Sequence, residues 1–372
     1  MGTTGNTAGI EIGLPADIDE VTAAWMTAAL RTSGAIGADA EVSALRNEPY
    51  VAGGLLSLLY RSTIESDDPG APNTVIVKFP TDVPQLRNMA DAVAVYGREV
   101  AFYRDIAPRS TIRMPTVHAA MSAEDASNSC IVMEDLARLR QPDRSAGMTW
   151  DDAVRGARAL AAFHAGWQGS AELDELMKTF MSIGSPLNRA VLPGVAAAGW
   201  PAAKVHRGHT LSADVVALGD MWVDALPRML DQMELRPTLC HEDWRADNMF
   251  FDSDDNVVMI DPQLVGVCNG AFDLAYFISQ STEREMLAGR HGELVAEYLS
   301  VMAENGHDLD PDTFFFDTRV AVGLVLMYGF ASYPDYEALP SEGKAMTDKI
   351  LRRAAEAIED FDSLAALRTL LA

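Results

Sequence analysis

Cys240–Gln263 reads CHEDWRADNMFFDSDDNVVMIDPQ, and the spacing of its oxygen-bearing side chains decides how the chain is read. Met249–Phe251 and Val257–Ile260 are short apolar runs with strand character. Between them, Ser253-Asp254-Asp255-Asn256 is a polar turn of the kind that closes a hairpin. Closing it puts Asn248, just before the first strand, beside Asp261, just after the second. Asp243 lies upstream on the loop that leads in. One loop and one hairpin thus gather a carboxylate, an amide oxygen and a second carboxylate. That set suits a hard divalent cation together with a hydroxyl awaiting deprotonation.

The chain around this stretch has 372 residues, enough for two lobes with separate cores. Its hydrophobic share of 48% and charged share of 22% are those of a globular protein. The formal net charge of −25 argues against a nucleic-acid or anionic-membrane partner and fits a solvated acidic surface or a cationic substrate. Three cysteines, Cys130, Cys240 and Cys268, form no CxxC, which fits thiols in a reducing, cytoplasmic compartment. The N-terminal stretch has no basic and apolar leader pattern, and its Met1-Gly2 opening misses the myristoylation pattern at Asn6. Val320–Phe330, the most apolar run, is too short to span a bilayer and reads as part of a buried helix.

Along the chain, Asp17–Arg31 has helical periodicity, and Val42–Glu48 and Leu55–Ile64 read as strands on either side of a Gly53-Gly54 turn. Thr74–Phe79 is a third strand carrying Lys78 in an apolar run. Asn88–Ile106 reads as one helix, with Ala92, Val95, Glu99, Phe102 and Ile106 in a single row. A carboxylate inside an apolar row is costly unless paired, and Lys78 is the natural partner of Glu99. Ile112–Met133 holds a strand pair that ends before Glu134-Asp135-Leu136. From Trp150 onward the chain is mainly helical, with the hairpin embedded in it. Met177–Leu211, with Pro and Gly throughout, reads as its least regular part, a candidate mobile or substrate-facing loop. The expectation is an α+β protein: residues 1–136 strand-rich with one long helix, residues 137–372 a helical lobe.

Several chemistries fail on spacing. Asp252-x-Asp254-x-Asn256 opens like an EF-hand loop, but Val257 replaces the required Gly and Gln263 the bidentate Glu. The seven histidines form no HExxH, and no GxSxG follows a strand. Phosphoryl transfer remains. It needs Mg²⁺ on the phosphates, a cation near the developing charge and a group to orient the nucleophile. Asn248 and Asp261 supply metal oxygens, Lys78 fixed by Glu99 supplies the cation, and Asp243 faces the acceptor hydroxyl.

His241-x-Asp243-x-x-x-x-Asn248 followed by Ile260-Asp261 resembles the catalytic core of the protein-kinase-like small-molecule kinases, the aminoglycoside phosphotransferase and choline kinase families. HEDWRADNMFF with IDPQ is most similar to the ecdysteroid kinase-like branch and its bacterial relatives. VIVKFP resembles the family's lysine strand, GREVAFYRDI its glutamate helix and IVMEDL its hinge. ALAAFHAGW resembles the helix before the catalytic loop, and NGAFDLAYF the segment after the metal aspartate. These stretches follow the family's order. The resemblance implies a bilobal protein-kinase-like fold with ATP, or GTP, and Mg²⁺ in the cleft. Lys78 would hold the phosphates under the Gly53-Gly54 turn, and Glu134 and Leu136 would offer hinge backbone to the base. Asp273 would brace the catalytic loop, His241 would orient it, and His164 would be a core histidine.

Departures are informative. Glu242 stands where relatives usually have Gly, adding charge beside Asp243. Asp261 is followed by Pro262-Gln263, so no protein-kinase-style flip is expected, and the absence of an APE motif argues against a protein substrate. The expected activity is transfer of the ATP γ-phosphate to an alcohol of a small molecule, an amino alcohol or aminoglycoside-like compound. A hydrophobic alcohol of sterol or macrolide type, or a catalytically silent nucleotide-binding module, are the alternatives. No nucleic-acid or membrane partner is expected, and the chain is expected to be a monomer or homodimer.

Overall fold

The computed structural model describes residues 12–50, 56–287 and 289–372, which divide into two units: Met1–Arg140 with Val258–Leu264, and Gln141–Val257 with Val265–Ala372.

In the first unit, α1 (Ala23–Thr32) starts where the Thr22 hydroxyl accepts from the Trp25 N–H and buries Met26, Ala29 and Leu30. Five antiparallel strands follow in the spatial order β1-β2-β3-β5-β4. They are β1 (Val42–Pro49), β2 (Ser57–Ser66), β3 (Thr74–Pro80), β4 (Val117–Ser122) and β5 (Ser129–Glu134). β3 is central, and its run of Val75, Ile76, Val77 and Phe79 is buried, as β-branched and aromatic residues favour. Met26, Leu30, Val75, Val77, Cys130 and Val132 join in one core between helix and sheet.

Between β3 and β4 the expected single helix is broken. α2 (Pro84–Ala92) stops, Ala94 adopts a left-handed backbone at φ 51°, and α3 (Val95–Ala101) begins anew and runs on into a wider π turn over Phe102–Ile106. The Arg98 guanidinium donates to the Val93 carbonyl at 2.7 Å and stabilises the break. Val95, Glu99, Phe102 and Ile106 still share the buried side, while Ala92, on the preceding helix, is exposed. The short segment Val258–Leu264 groups with this sheet unit because the Met259 N–H donates to the Arg113 carbonyl at 2.9 Å, beside a parallel bridge from Arg113 to Val258.

The second unit contains α4 (Trp150–Ala165), α5 (Leu173–Leu176), α6 (Pro186–Arg207), α7 (Ala213–Met233), α8 (Ala271–Ser281), α9 (Arg284–Leu287), α10 (His291–Glu304), α11 (Pro311–Phe330), α12 (Ser341–Asp360) and α13 (Ser363–Leu371). Strand β6 (Pro237–Cys240) pairs with β9 (Gly266–Asn269). β7 (Met249–Phe251) and β8 (Val257–Met259) flank the expected turn, which the Asp252 N–H closes onto the Asn256 carbonyl at 3.0 Å.

Most of the segment read as irregular is the 22-residue helix α6, which continues through Pro193 and Pro201. Pro186 sits in its first turn, and the Ser185 hydroxyl caps the Asn188 N–H. Trp200 packs so closely over Gly219 of α7 that a Cβ there would lie 2.2 Å from the indole. Burial of Ala196, Gly199, Trp200 and Ala203 along one face outweighs the local helix-breaking signal. The apolar run Val320–Phe330 belongs to the longer helix α11, whose residues Val320–Met327 are all buried among α6, α7, α8, α12 and α13. That packing is that of a core helix. Cys130, Cys240 and Cys268 are free, buried thiols.

Candidate active site

In the sheet unit, Lys78 lies on β3 opposite Leu59 of β2 and Ile131 of β5. Its Nζ meets Glu99 Oε1 of α3 at 2.7 Å and Asp261 Oδ1 at 2.5 Å. Lys78 and Glu99 are buried, so each charge depends on the other. Burial alone would lower the lysine pKa, but Asp261 and Glu99 more than offset it and raise it above the usual lysine range. Burial pushes Glu99 up, Lys78 pulls it down and Asp261 pushes it up again, leaving it at about 7. Asp261 sits in left-handed backbone, φ 60°, and its Oδ2 accepts from Gln263 Nε2 at 3.1 Å. That conformation at a non-glycine residue is the kind of local strain that clusters at functional positions.

The stretch Glu134-Asp135-Leu136 begins on the last residue of β5. The Glu134 carboxylate is held by Arg113 at 2.7 Å and the Thr116 N–H at 3.1 Å. Asp135 is gripped by Arg61 of β2 at 2.8 Å. The Leu136 carbonyl accepts from the Leu139 N–H at 2.8 Å, while its own buried N–H has no hydrogen-bond partner among the described residues. A backbone donor of this kind suits the edge of a nucleotide base. Gly53 and Gly54 lie outside the described residues.

In the helical unit, the loop after β6 carries His241, Glu242 and Asp243, all buried. Asp273 of α8 fixes its backbone, accepting from the His241 N–H at 2.6 Å and the Glu242 N–H at 2.8 Å. His241 Nδ1 then accepts from the Asp243 N–H at 3.3 Å, which orients the carboxylate-bearing residue. Asp243 Oδ2 takes Asn248 Nδ2 at 2.8 Å, and Asp243 Oδ1 takes the Tyr276 hydroxyl at 2.9 Å. Arg245 lies 3.3 Å from the same Oδ1 and 3.1 Å from Asp247, which Arg144 also approaches at 3.3 Å. Asn248 Nδ2 also donates to the Asp243 carbonyl at 2.9 Å. Both Asn248 amide contacts are spent on Asp243, leaving its Oδ1 as an acceptor with no hydrogen bond among the described residues. An amide oxygen of this kind is a hard donor of the sort that Mg²⁺ takes.

The expected residues therefore form two clusters: Lys78, Glu99 and Asp261 in one unit, Asp243 and Asn248 in the other. Two side chains were not anticipated. Tyr276 follows Asp273 by three positions on α8 and shares its face, a spacing visible in the sequence. Arg245, two residues after Asp243, brings a cation to the carboxylate. Glu242 occupies left-handed backbone, φ 59°, which glycine adopts without strain. Its side chain lies over Gly266, where a Cβ would fall 2.1 Å from Glu242 Oε1 and 2.4 Å from the Met181 carbonyl.

His164, Cys240 and Asp273 bring a nitrogen, a sulfur and an oxygen within 4.8 Å of one another. They form a hydrogen-bonded core rather than a metal centre. The ring nitrogens of His164 are taken by the Tyr298 hydroxyl at 2.8 Å and Asp273 Oδ2 at 3.1 Å, and the Asp273 oxygens also accept the two loop N–H groups. Burial lowers the imidazole pKa, but Cys240 and Asp273 more than offset it and bring it to about 9.

The model of the ecdysteroid kinase-like family matches residues 53–310, well over half of the chain. No curated protein matches. Among solved structures, a putative aminoglycoside phosphotransferase from Ralstonia eutropha is 15% identical with a TM-score of 0.54, over 91% of this chain and 97% of that one. The GDP and kanamycin complex of APH(2'')-IIIa is 12% identical with a TM-score of 0.54, over 88% and 97%. The GDP complex of wild-type aminoglycoside 2'-phosphotransferase-IIIa is 12% identical with a TM-score of 0.50, over 89% and 97%. At such identities the likeness is one of fold: an antiparallel strand-rich N-terminal sheet followed by a helical C-terminal part.

Proposed function

We propose that this chain, which belongs to the ecdysteroid kinase-like family, transfers the γ-phosphate of ATP to a hydroxyl of a small molecule. The observation that carries the reading is the setting of Asp243. Its carboxylate is buried at the end of a braced loop, and its neighbour Asn248 is turned so that an amide oxygen is left over. In the reaction the acceptor oxygen bonds to the γ-phosphorus, and the bond from that phosphorus to the β–γ bridging oxygen breaks. The electron pair leaves with ADP, and the acceptor proton passes to Asp243. Lys78, kept charged and oriented by Glu99, faces the phosphates. Glu134 and Leu136 offer backbone to the base. Asp261 and Asn248 would hold Mg²⁺, which when bound neutralises phosphate charge.

The acceptor class follows from charge. A net charge of −25 and a second carboxylate, Glu242, adjoining Asp243 favour an alcohol that also carries an amine. The test is ATP consumption against amino alcohols, amino sugars, sterols and macrolides, with GTP run in parallel. Turnover with a hydroxylated amine supports the reading. Turnover with sterols or macrolides alone rejects the amine preference, and no turnover with any acceptor rejects the kinase reading.

A further inference from the structure

Helix α8 braces the catalytic loop at three points. Asp273 holds the backbone of His241 and Glu242, and Ser281 Oγ accepts from the Ala246 N–H at 3.0 Å. Tyr276 lies between them, one turn after Asp273 on the same face. Its contact is with a side chain: the hydroxyl donates to Asp243 Oδ1 at 2.9 Å. A backbone brace leaves the carboxylate free to turn, because the terminal torsion of aspartate is broad and roughly two-fold. Tyr276 and Asn248 hold one oxygen each and remove that freedom. The Tyr276 ring is itself buried and tilted against Tyr328, with centroids 4.6 Å apart. Burial first, and then the charge of Asp243, raise the pKa of Tyr276, so the group stays a neutral donor.

We propose that Tyr276 is a positioning residue for phosphoryl transfer, fixing the Asp243 carboxylate against the acceptor hydroxyl. The proposal rests on the kinase reading above, because Tyr276 acts only through Asp243. Displacing a reacting group by an ångström costs up to ~100-fold in rate, which sets the scale of the effect.

The test uses the full chain with MgATP and the panel acceptor of highest turnover. Tyr276→Phe lowers kcat roughly 10- to 100-fold, with KM for ATP and acceptor within about twofold and the melting midpoint little changed. In an Asp243→Asn background the same change alters the residual rate by less than about twofold, as expected for two groups acting as a unit. para-Aminophenylalanine at 276 restores an N–H donor on the same ring and recovers most of the lost rate. It also serves as the test if Tyr276→Phe fails to fold. An unchanged kcat in folded Tyr276→Phe overturns the proposal and leaves the kinase reading standing. So does a loss that keeps its full size in the Asp243→Asn background, or an aminophenylalanine protein that folds but stays slow. A wild-type chain with no turnover on any acceptor overturns both.

Discussion

Replacing Lys78 with Met removes a cation from between two carboxylates while changing the volume little. The ammonium meets Glu99 at 2.7 Å and Asp261 at 2.5 Å. Removing one partner of a buried pair costs about 3–5 kcal/mol, because the remaining charge is uncompensated. Glu99 gives that cost a pH dependence. Its pKa stands at about 7, with burial and Asp261 pushing up and Lys78 pulling down. A carboxylate with a raised folded pKa contributes stability that is complete below its unfolded value and lost as pH rises through the folded value. In the wild type that loss runs from near 4.5 to about 7. In Lys78→Met the pull of the ammonium is gone, Glu99 keeps its proton to higher pH, and the loss continues. Each further unit costs ~1.4 kcal/mol, so the penalty of the substitution grows by about 2 kcal/mol between about pH 7 and about pH 8.5. Native-state hydrogen exchange of β3 and α3 amides, corrected for intrinsic rates, reads this in the sheet unit. A penalty below about 1 kcal/mol, or one that is equal at both pH values, is incompatible with a buried Lys78–Glu99 pair of this kind.

Asp261→Ala removes Mg²⁺-dependent nucleotide binding, read by calorimetry with and without the metal. Gly266→Ala drives a Cβ to 2.1 Å from Glu242 Oε1 and 2.4 Å from the Met181 carbonyl. Overpacking of this kind destabilises by about 1–3 kcal/mol, measurable as a lowered urea midpoint. The imidazolium of His164, with its pKa raised to about 9, contributes stability that is complete below about 6.5 and lost as pH rises through 9. The stability gap between wild type and His164→Gln therefore narrows across that window in pH-dependent urea melts.

How far the sequence disclosed this depends on how local each feature is. Asp243 and Asn248 stand five residues apart on one loop, so their pairing was readable in the sequence, whereas the contact of Asp261 with Lys78, 183 residues away, was not. The Lys78–Glu99 pair was legible because a carboxylate in an apolar row needs a partner, and β3 offers one. The split of α2 from α3 was not legible, since nothing in the sequence marks Ala94 for left-handed backbone. Pro193 and Pro201 hid α6, whose stability comes from Trp200 packing on α7. Tyr276 and Arg245 carry ordinary residue types, and only tertiary structure shows what they touch. The grouping of Val258–Leu264 with the sheet unit likewise depends on the distant Arg113.

The proposed chemistry turns on Asp243 receiving the acceptor proton during phosphoryl transfer. Single-turnover transfer of radiolabelled γ-phosphate by wild type and Asp243→Asn tests it most directly. A loss of roughly 100-fold or more is expected in Asp243→Asn, with ATP affinity within about threefold of wild type. Transfer at a near wild-type rate by Asp243→Asn would contradict it.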